Sequence, residues 1–456
     1  MTDQTLWFDQ ALLPAGWADR VRVTVRDGLI AAVETGVARV SGEAGGGIAL
    51  PGMPNLHSHA FQRGMAGLTE GRGPSDDDFW TWRELMYRFL DRGGPDEIEA
   101  ITAYAFMEML EGGFTRVAEF HYLHNDVDGR PYADRAEIAR RIVAAAGETG
   151  IGLTLLPVFY AHSTFGGAAP NHGQRRFIND VAGFADLMAL SVEAVKSLPD
   201  AVVGVAPHSL RAVTPEELDA VVAMTGGPVH IHVAEQVKEV RDCLDWSGAR
   251  PVEWLMAHAP VDRRWCLIHS THVTEAEMTS VAQSGAVVGL CPITEANLGD
   301  GIFPAVAYRN AGGRFGVGTD SNVMIGAAEE LRTLEYSQRL SLKGRGLMAG
   351  ETGSTGRGLY EAALDGGAQA TGTLATGAPA GIAPGLSADL VMLDAGHVAF
   401  HGRRGDAVLD SWIMAARGSP IAGVWRRGER VVTGGVHHGR PAIEARFRQA
   451  LKAITG

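Results

Sequence analysis

The sequence predicts an α/β protein: a (β/α)8 TIM-like barrel with a small β-sandwich formed by both chain ends. Between residues 51 and 379, short apolar runs alternate with helical patterns, which is the rhythm of a parallel β/α fold. Each run also ends in side chains capable of chemistry, as expected where active sites gather at the carboxyl ends of barrel strands. Both chain ends, in contrast, show the patterns of short strands.

The first 50 residues predict strands. The stretch VRVTVRDGLIAAV alternates apolar and polar residues around Asp27 and Gly28, which is typical of a β-hairpin. A glycine-rich stretch, GEAGGG, then leads into IALPGMPNLHSHA, where the barrel pattern begins.

The barrel is predicted from eight apolar runs, the number that closes a (β/α)8 sheet. They are MPNLHSH, TRVAEFHY, GLTLLPVFYAH, AVVGVAPHS, GPVHIHVAE, RWCLIHSTH, AVVGLCPIT and RFGVGTDS. After the last run, EELRTLEYSQRL spaces Leu331, Leu334 and Leu340 near a helical period.

Beyond residue 380 the strand pattern returns in SADLVMLD and in IAGVWRRGERVVTGG, which has a glycine-centred turn. The chain closes with RPAIEARFRQALKAI, an amphipathic helix with Ile443, Phe447, Leu451 and Ile454 on one stripe. We therefore expect residues 1–50 and 380–440 to form the sandwich domain. Residues 51–379 would form the catalytic barrel and residues 441–456 a C-terminal helix.

The composition excludes several classes of protein. Apolar residues make up 46% of the chain and charged residues 20%, an ordinary globular balance. The formal net charge of -13 argues against nucleic acid as a partner. No basic, apolar leader opens the sequence, and no apolar run reaches the roughly 18 residues that a membrane span needs. An odd set of three cysteines without zinc-finger spacing predicts a reduced, cytoplasmic protein.

The ends of the runs predict a metal site. Side chains alternate along a strand, so His57 and His59 face one side and can bind one ion. His232 and Asp320 follow later runs and complete a set of three imidazoles and one carboxylate, which suits zinc. A lone histidine would more often be a satisfied core residue. An ordered set at successive strand ends favours a metal site with an open coordination position.

Two further residues are candidates for acid–base chemistry. Glu235 comes three residues after His232 and could move a proton to a departing nitrogen. Its alternative interpretation is a surface glutamate that opens a helix. His269 closes the sixth run and could orient the attacking water or stabilise a tetrahedral intermediate, whereas His272 lies past the strand end and fits less well.

Longer stretches carry a resemblance that spans the whole barrel and continues into SADLVMLD. They are HSHAFQRGMAGLTE, FWTWRELMYRF, AEFHYLHND, APHSLRAVTP, HIHVAEQVKEV, GLCPITEANLGDGIFP and EELRTLEYSQRL. The chain resembles the deaminase branch of the amidohydrolase superfamily, and within it the N-formimino-L-glutamate deiminases (formimidoylglutamate iminohydrolases). Many binuclear members of the superfamily bridge two ions with a modified lysine on a middle strand. The fourth run here contains no lysine, so we expect one divalent ion, with zinc as the expected metal.

The resemblance implies hydrolysis of N-formimino-L-glutamate to N-formyl-L-glutamate and ammonia, a step of histidine degradation, by a homodimer. It implies proton transfer and intermediate stabilisation by Glu235 and His269, with Asp320 accepting the proton of the attacking water. The metal ligands that it implies are His57, His59, His232 and Asp320. The substrate contacts that it implies are Gln62, Arg83, Tyr122, His208 and Arg211.

These contacts suit a dicarboxylate, because the arginine fork matches a carboxylate with two parallel hydrogen bonds. Arg211 follows the fourth run closely and should lie near the barrel mouth. Arg83 lies in a helical stretch that could fold over the site as a lid; a solvated helix face is its alternative, which Arg88 fits better. Gln62, Tyr122 and His208 could instead be satisfied core polar groups.

Three other functions compete. A deaminase of a purine, pterin or adenosyl compound would use the same metal set, but an aromatic heterocycle calls for stacking and amide groups rather than two arginines. A chlorohydrolase-like enzyme would differ in its leaving group. A non-catalytic scaffold is the third alternative, although every expected ligand is present, and a scaffold should carry no stoichiometric ion.

Overall fold

The structure is a computed structural model that describes residues 4–71, 79–374 and 380–456. Its strands are β1 Gln4–Leu13, β2 Gly16–Arg26, β3 Leu29–Glu34, β4 Ala44–Gly45, β5 Ile48–Pro51, β6 Met53–Ser58, β7 Phe114–His121, β8 Gly152–Phe159, β9 Val202–Val203, β10 Ala206–Pro207, β11 Val229–Val233, β12 Trp265–His269, β13 Val287–Leu290, β14 Arg314–Val317, β15 Leu390–Leu393, β16 Ile421–Arg426, β17 Glu429–Thr433 and β18 Val436–His437.

The α-helices are α1 Phe79–Leu90, α2 Pro95–Glu111, α3 Glu137–Thr149, α4 Val181–Ala194, α5 Pro215–Val222, α6 Val237–Ser247, α7 Pro251–His258, α8 Glu275–Ser284, α9 Pro292–Leu298, α10 Ala305–Asn310, α11 Ala327–Leu342, α12 Thr355–Ala370, α13 Asp406–Met414 and α14 Arg440–Thr455. Short 3-10 helices lie at Ala60–Met65, His172–Gln174, Val195–Ser197 and Val398–Phe400. No helix of the described ranges is both long enough and apolar enough to cross a bilayer.

The barrel consists of two parallel sheets. One has the order β10-β8-β7-β6, with β9 beside β8, and the other has the order β11-β12-β13-β14. The fourth barrel position is interrupted, since β9 and β10 are two short pieces of the run AVVGVAPHS. The eight predicted runs therefore occupy eight successive positions around the barrel.

Two seams join the sheets into a closed barrel. At the first, Ser58 at the end of β6 bridges in parallel to Asp320 after β14. At the second, Val205 bridges to Val229, and Ser209 bridges to His232. These bridges close the ring, and the predicted (β/α)8 barrel is confirmed.

The first seam is tight. A side chain at Gly318 would place its Cβ 2.7 Å from the carbonyl oxygen of His57, closer than non-bonded atoms approach. The backbone amide of Asp320 donates to the same carbonyl at 3.0 Å, and the His59 amide donates to the Asp320 carbonyl at 2.9 Å. The seam thus holds two candidate metal-binding segments against each other.

Both chain ends lie in one hydrogen-bonded sheet of order β18-β17-β16-β15-β5-β1-β2-β3, with β4 beside β1. The predicted hairpin at Asp27 and Gly28 is confirmed, because β2 and β3 pair antiparallel around that turn. The predicted glycine-centred turn at Gly428 is confirmed in the same way between β16 and β17. The buried core of this sheet combines residues of both chain ends, such as Phe8 and Trp425, whose rings meet edge to face.

The C-terminal helix α14 packs against α2 of the barrel. Ile443 and Ile454 of its predicted stripe are buried, and the ring of Phe447 stacks on that of Tyr104 at 3.9 Å between centroids. In α11, Leu331 and Leu334 are buried whereas Leu340 is 80% exposed. Nine residues separate Leu331 from Leu340, about two and a half helical turns, which places Leu340 on the opposite face.

The domain division remains a prediction. Its boundary at residues 379 and 380 touches the segment 375–379, which lies outside the described residues, as do residues 1–3 of the predicted sandwich and 72–78 of the predicted barrel.

Candidate active site

A cavity opens at the carboxyl ends of the barrel strands. It encloses about 570 Å³, its solvent-open mouth included. Of the side chains proposed from the sequence for metal, catalysis or substrate, all except His57 line it, and His57 is buried directly behind His59 and His232. Helix α1 contributes the wall at the mouth through Trp82 and Arg83.

Four side chains with metal-ligand chemistry converge at the floor of this cavity. Their ligand atoms all lie within 4.8 Å of one another, and the residues are His57, His59, His232 and Asp320. Oδ1 of Asp320 lies 3.5 Å from Nε2 of His57 and 3.3 Å from Nε2 of His59. Nε2 of His232 lies 3.1 Å from Nε2 of His57. Ligands about 2.0–2.1 Å from a tetrahedral zinc ion stand about 3.3–3.4 Å apart, so these separations fit one ion.

The tautomers of two imidazoles also fit a metal. Nδ1 of His59 lies 2.9 Å from the carbonyl oxygen of Phe120, and Nδ1 of His232 lies 3.0 Å from that of His208. A carbonyl oxygen only accepts, so Nδ1 carries the proton in both rings. Nε2 therefore directs a lone pair into the cluster, as metal-binding histidines do.

The protonation states agree with this arrangement. Burial lowers the pKa of His57 to about 3 and lowers the pKa values of His59 and His232. Burial alone would raise the pKa of Asp320, but its hydrogen bond with His57 and the charge of the nearby His269 hold it well below its usual range. Neutral imidazoles and an ionised carboxylate are the forms that bind a divalent ion.

Asn322 holds the two ligand-bearing segments together. Its Nδ2 lies 3.1 Å from the carbonyl oxygen of His59 and 2.9 Å from that of Asp320. Its Oδ1 accepts a 2.6 Å hydrogen bond from Thr319, whose hydroxyl accepts one from Asn55. Asp320 and Asn322 both have left-handed backbone conformations, with φ of 45° and 55°. Such conformations persist where surrounding bonds fix them.

Glu235 and His269 stand beside the ligand cluster. Nε2 of His269 lies 3.8 Å from Oε1 of Glu235 and 3.7 Å from Oδ2 of Asp320. Burial lowers the pKa of His269, but Glu235, Glu295 and Asp320 outweigh it and raise the pKa to about 10. Burial raises the pKa of Glu235 above its ordinary value, although the charges of His269 and Arg211 lower it in part. A buried carboxyl and an imidazole with displaced pKa values are typical of an acid–base pair.

The predicted polar contacts Gln62, Tyr122 and His208 share one wall of the cavity. Nε2 of Gln62 donates a 2.8 Å hydrogen bond to the Tyr122 hydroxyl, while Oε1 of Gln62 has no partner among the described residues. The His208 ring lies 4.5 Å from the ring of Tyr160, centroid to centroid. This wall offers a phenol, an amide and an imidazole to a ligand.

The two predicted arginines meet at the mouth over the ring of Trp80. Cζ of Arg83 lies 4.6 Å and Cζ of Arg211 5.6 Å from the ring centroid. Nε of each arginine is buried and has no hydrogen-bond partner within the described ranges. Nη2 of Arg211 stands 3.9 Å from Oε2 of Glu235. The pair therefore presents donors to an anion.

Comparison with known proteins identifies the family. The model of the amidohydrolase family matches residues 48–431, which includes every candidate site residue. The chain belongs to the amidohydrolase family. A second model, the N-terminal domain of formimidoylglutamate deiminase HutF, matches residues 5–47. As an amidohydrolase, the protein is a hydrolase that acts on a carbon–nitrogen bond and depends on a divalent metal ion.

Several proteins similar to this amidohydrolase match nearly all of its length. Formimidoylglutamate deiminase of Pseudomonas aeruginosa is 49% identical over 451 residues, 98% of each protein. The crystal structure of an amidohydrolase from Brucella melitensis is 53% identical, covers 99% of this chain and 100% of its own, and superposes with a TM-score of 0.95. An adenosine deaminase from Xanthomonas campestris with bound zinc shares the fold at a TM-score of 0.81 and 23% identity, covering 99% and 98%.

Sequence reasoning missed several residues of the amidohydrolase site. Glu295 bonds to His269, Asn322 ties the ligand segments, and Glu239 accepts from the amides of Ala234 and Glu235 at 3.2 and 3.0 Å. Glu295 lies just after the seventh run and could have been proposed on that ground. Glu239 lies one turn into α6, where nothing in the sequence separates it from a solvated glutamate.

Proposed function

We propose that this amidohydrolase hydrolyses N-formimino-L-glutamate to N-formyl-L-glutamate and ammonia, as a step of histidine degradation. The observation that carries the proposal is the pair Arg83 and Arg211, which line the cavity that holds the metal cluster and have buried Nε donors without partners among the described residues. A dicarboxylate with a formimino end matches a site with cations at the mouth and a metal at the floor. The 49% identity to the Pseudomonas aeruginosa deiminase along both whole chains supports the same substrate.

We propose zinc as the ion and His57, His59, His232 and Asp320 as its ligands. The three nitrogens, one oxygen and their mutual distances support this set. When bound, a divalent ion supplies water of lowered pKa and polarises the carbon–nitrogen bond that is cleaved.

The remaining steps belong to side chains of the protein. Asp320 accepts the proton of the attacking water, and His269 stabilises the tetrahedral centre through Nε2. Glu235 passes a proton to the departing nitrogen, so that ammonia leaves rather than an amide anion; such proton transfer is worth about 10²–10⁴-fold in rate. The position of Glu235 between His269 and Arg211 supports this role.

At the other end of the substrate, Arg83 and Arg211 bind the carboxylates. Gln62, Tyr122 and His208 hydrogen-bond the part of the substrate between the carboxylates and the formimino carbon. The mutual hydrogen bond of Gln62 and Tyr122 supports this placement, because it fixes both polar groups at the cavity wall before substrate enters.

Ammonia release from N-formimino-L-glutamate by the purified protein tests the function, before and after metal is stripped with a chelator. Rapid release that disappears on stripping and returns with zinc is the expected result. Ammonia from adenosine or a pterin, with none from N-formimino-L-glutamate, would contradict the substrate while leaving the metal site intact. Purified protein without a stoichiometric metal ion would contradict the proposed metal-dependent activity.

The homodimer and the cytoplasmic location predicted from the sequence remain predictions. The three buried, unbridged cysteines Cys243, Cys266 and Cys291 are consistent with a reducing compartment. Light scattering of the purified protein and cell fractionation test the two expectations separately.

A further inference from the structure

We propose that Glu295 is a positioning residue for the deimination reaction: it fixes the ring of His269 so that Nδ1 points away from the cavity and Nε2 faces the reacting atoms. The inference rests on the proposed function for its kinetic consequences. The orientation of the ring can be measured without any substrate.

The starting observation is the backbone at the end of β12. His269 and Ser270 are consecutive residues with positive φ, 65° and 50°, although neither is glycine. Such a conformation is unfavourable for residues other than glycine and persists only where neighbouring groups hold it. The consequence of this backbone conformation is that the His269 side chain lines the cavity.

Glu295 is the neighbouring group that holds the ring of His269 in this position. Its Oε1 lies 3.2 Å from Nδ1 of His269 and accepts a 2.9 Å hydrogen bond from the backbone amide of Cys291. The amide of Glu295 in turn donates to the Cys291 carbonyl at 2.8 Å. The carboxylate is thereby tied to the first turn of its own helix α9, is only 6% exposed, and cannot follow the ring if the ring moves.

This contact decides which nitrogen faces the cavity. The same Glu295 oxygen already accepts from the Cys291 amide, so Nδ1 of His269 is the donor of this contact and Nε2 is the atom presented to the reaction. Nε2 lies 3.8 Å from Glu235 and 3.7 Å from Asp320, too far for a hydrogen bond to either. Nε2 thus remains available for a ligand that enters between these carboxylates. The logic is that of the aspartate in a Ser-His-Asp triad, which sets the tautomer of its histidine.

The first measurement is the tautomer of His269 in zinc-loaded protein labelled with ¹⁵N-histidine. Among the 16 histidines, its signals are those lost in His269→Asn. We expect a protonated, hydrogen-bonded Nδ1 in the wild type, and a changed Nδ1 shift in Glu295→Ala. Unchanged His269 shifts in Glu295→Ala would overturn the proposal, whatever the substrate is.

The second measurement is a double-mutant cycle on ammonia release. Loss of the orienting carboxylate from a triad costs about 10⁴-fold; we expect Glu295→Ala to lower kcat at least about tenfold with KM little changed. Glu295→Gln, which keeps an acceptor oxygen, should recover part of that loss. In the His269→Asn background, Glu295→Ala should cost nothing further. A full, multiplicative loss in that background would mean that Glu295 acts on the general structure and not through His269.

Glu330 provides the matched control. It is another buried glutamate, from α11, and its Oε2 accepts from the Ile293 amide of the same helix α9 at 3.0 Å. We expect Glu330→Gln to keep kcat and the His269 shifts near wild-type values. A fall in kcat equal to that of Glu295→Gln would show that any lost carboxylate at α9 has this effect, which contradicts the proposal.

Metal analysis excludes a rival role for the same residues. Ligand atoms of His269, Cys291 and Glu295 also lie within 4.8 Å of one another and could hold a second ion. We expect one ion per chain in both the wild type and Glu295→Ala. Two ions per chain in the wild type, one of them lost in Glu295→Ala, would make Glu295 a ligand and overturn the positioning role.

Discussion

At the scale of single residues, the chemistry of the site depends on a few buried ionisable side chains that lie near each other, beyond hydrogen-bond distance. Glu235 is 4% exposed and has a histidine on one side and an arginine on the other, each more than 3.7 Å away. Its backbone amide is held by Glu239. The carboxyl is thus fixed in place and yet has no short bond to break before it moves a proton.

We expect Glu235→Gln to lower kcat by about 10²–10⁴-fold, because the amide cannot transfer a proton. The ligand cluster does not include Glu235, so the purified variant should still carry one ion per chain. Steady-state ammonia release and metal analysis on the same preparation measure both. A variant that loses the ion, or that retains kcat within about threefold, would contradict the assigned role.

Arg83 and Arg88 form a natural pair of variants on helix α1. Arg83 lines the cavity, whereas Arg88 is exposed and, among the described residues, donates to the Glu84 carbonyl of its own helix at 3.4 Å. A hydrogen bond to a charged group is worth about 1.5–3 kcal/mol, so Arg83→Met should lower kcat/KM by about 10- to 100-fold. Arg88→Met should leave kcat/KM unchanged. Equal losses in both variants would indicate damage to the helix and not a lost substrate contact.

The residues that could be predicted from the sequence are those that follow strands. His57 and His59 are two apart on one run, and strand geometry alone places them on one side. Asn322 and Glu239 could not be predicted in this way, since their roles depend on which backbone atoms lie beside them after folding. His269 was predicted because it closes the sixth run, but no residue pattern indicates the left-handed backbone at this position.

At the scale of elements, the barrel and the terminal sheet are joined by a buried group of charges. Asp200, which precedes β9, accepts from Arg116 of β7 and from Arg426 of β16, each at 2.7 Å. Arg426 also binds Asp389, just before β15. The two arginine side chains are only 6% and 4% exposed, so their charges depend on these partners.

We expect Asp200→Asn to destabilise the protein by about 3–5 kcal/mol, because it leaves two buried guanidinium groups short of a partner. Denaturant unfolding followed by circular dichroism measures the change. Glu193→Gln is the control: Glu193 and Lys196 form an ion pair with side chains 58% and 64% exposed, whose loss should cost less than about 0.5 kcal/mol. Similar costs for both variants would refute the structural role of Asp200.

The same carboxylate predicts a dependence on pH. Burial raises the pKa of Asp200, but the charges of Arg426 and Arg116 lower this pKa by a larger amount. The pKa therefore lies below its ordinary value. Its stabilisation is therefore complete above the unfolded-state pKa of about 3.9 and is lost as the pH falls through the lower folded-state pKa. Thermal melts from neutral to acid pH should show a steeper acid loss for the wild type than for Asp200→Asn. Parallel curves would contradict this assignment.

Helices and strands could be predicted from the sequence where they depend only on the pattern of neighbouring residues. Both hairpins follow from glycine turns between alternating strands, and α14 follows from its apolar stripe. The fourth barrel position was predicted as one run, but it is split at Gly204 and Val205, where Val205 bridges to Val229 across the second seam. That interruption depends on how the ring closes and has no counterpart in the residue pattern.

At the scale of the whole molecule, the ligand cluster draws on both sheets of the barrel. His57 and His59 come from β6 and the residue after it, whereas His232 comes from β11 and Asp320 follows β14. The first two belong to one sheet and the last two to the other. Any ion held by all four residues connects the two halves of the ring.

Removal of the metal should therefore lower thermal stability as well as activity. Zinc at 1,000 times its dissociation constant would stabilise the folded state by about 4 kcal/mol. We expect the apparent Tm to fall by several degrees after chelation and to recover with zinc, measured by scanning calorimetry. Asp320→Asn should show a much smaller difference between the two conditions. Equal Tm values for stripped and zinc-loaded wild type would contradict the proposed ligand set.

The position of the two seams implies that the ion also stabilises the closed barrel. Between the sheets, the ring is closed by the isolated bridges at Ser58 and Asp320 on one side and at Val205 and Ser209 on the other, and the ligands flank both joints. The active-site metal would connect two half-rings whose strands, within the described residues, are joined at each seam by a few backbone hydrogen bonds. Hydrogen exchange in metal-free protein should quicken first along these two lines and leave the interior of each half protected.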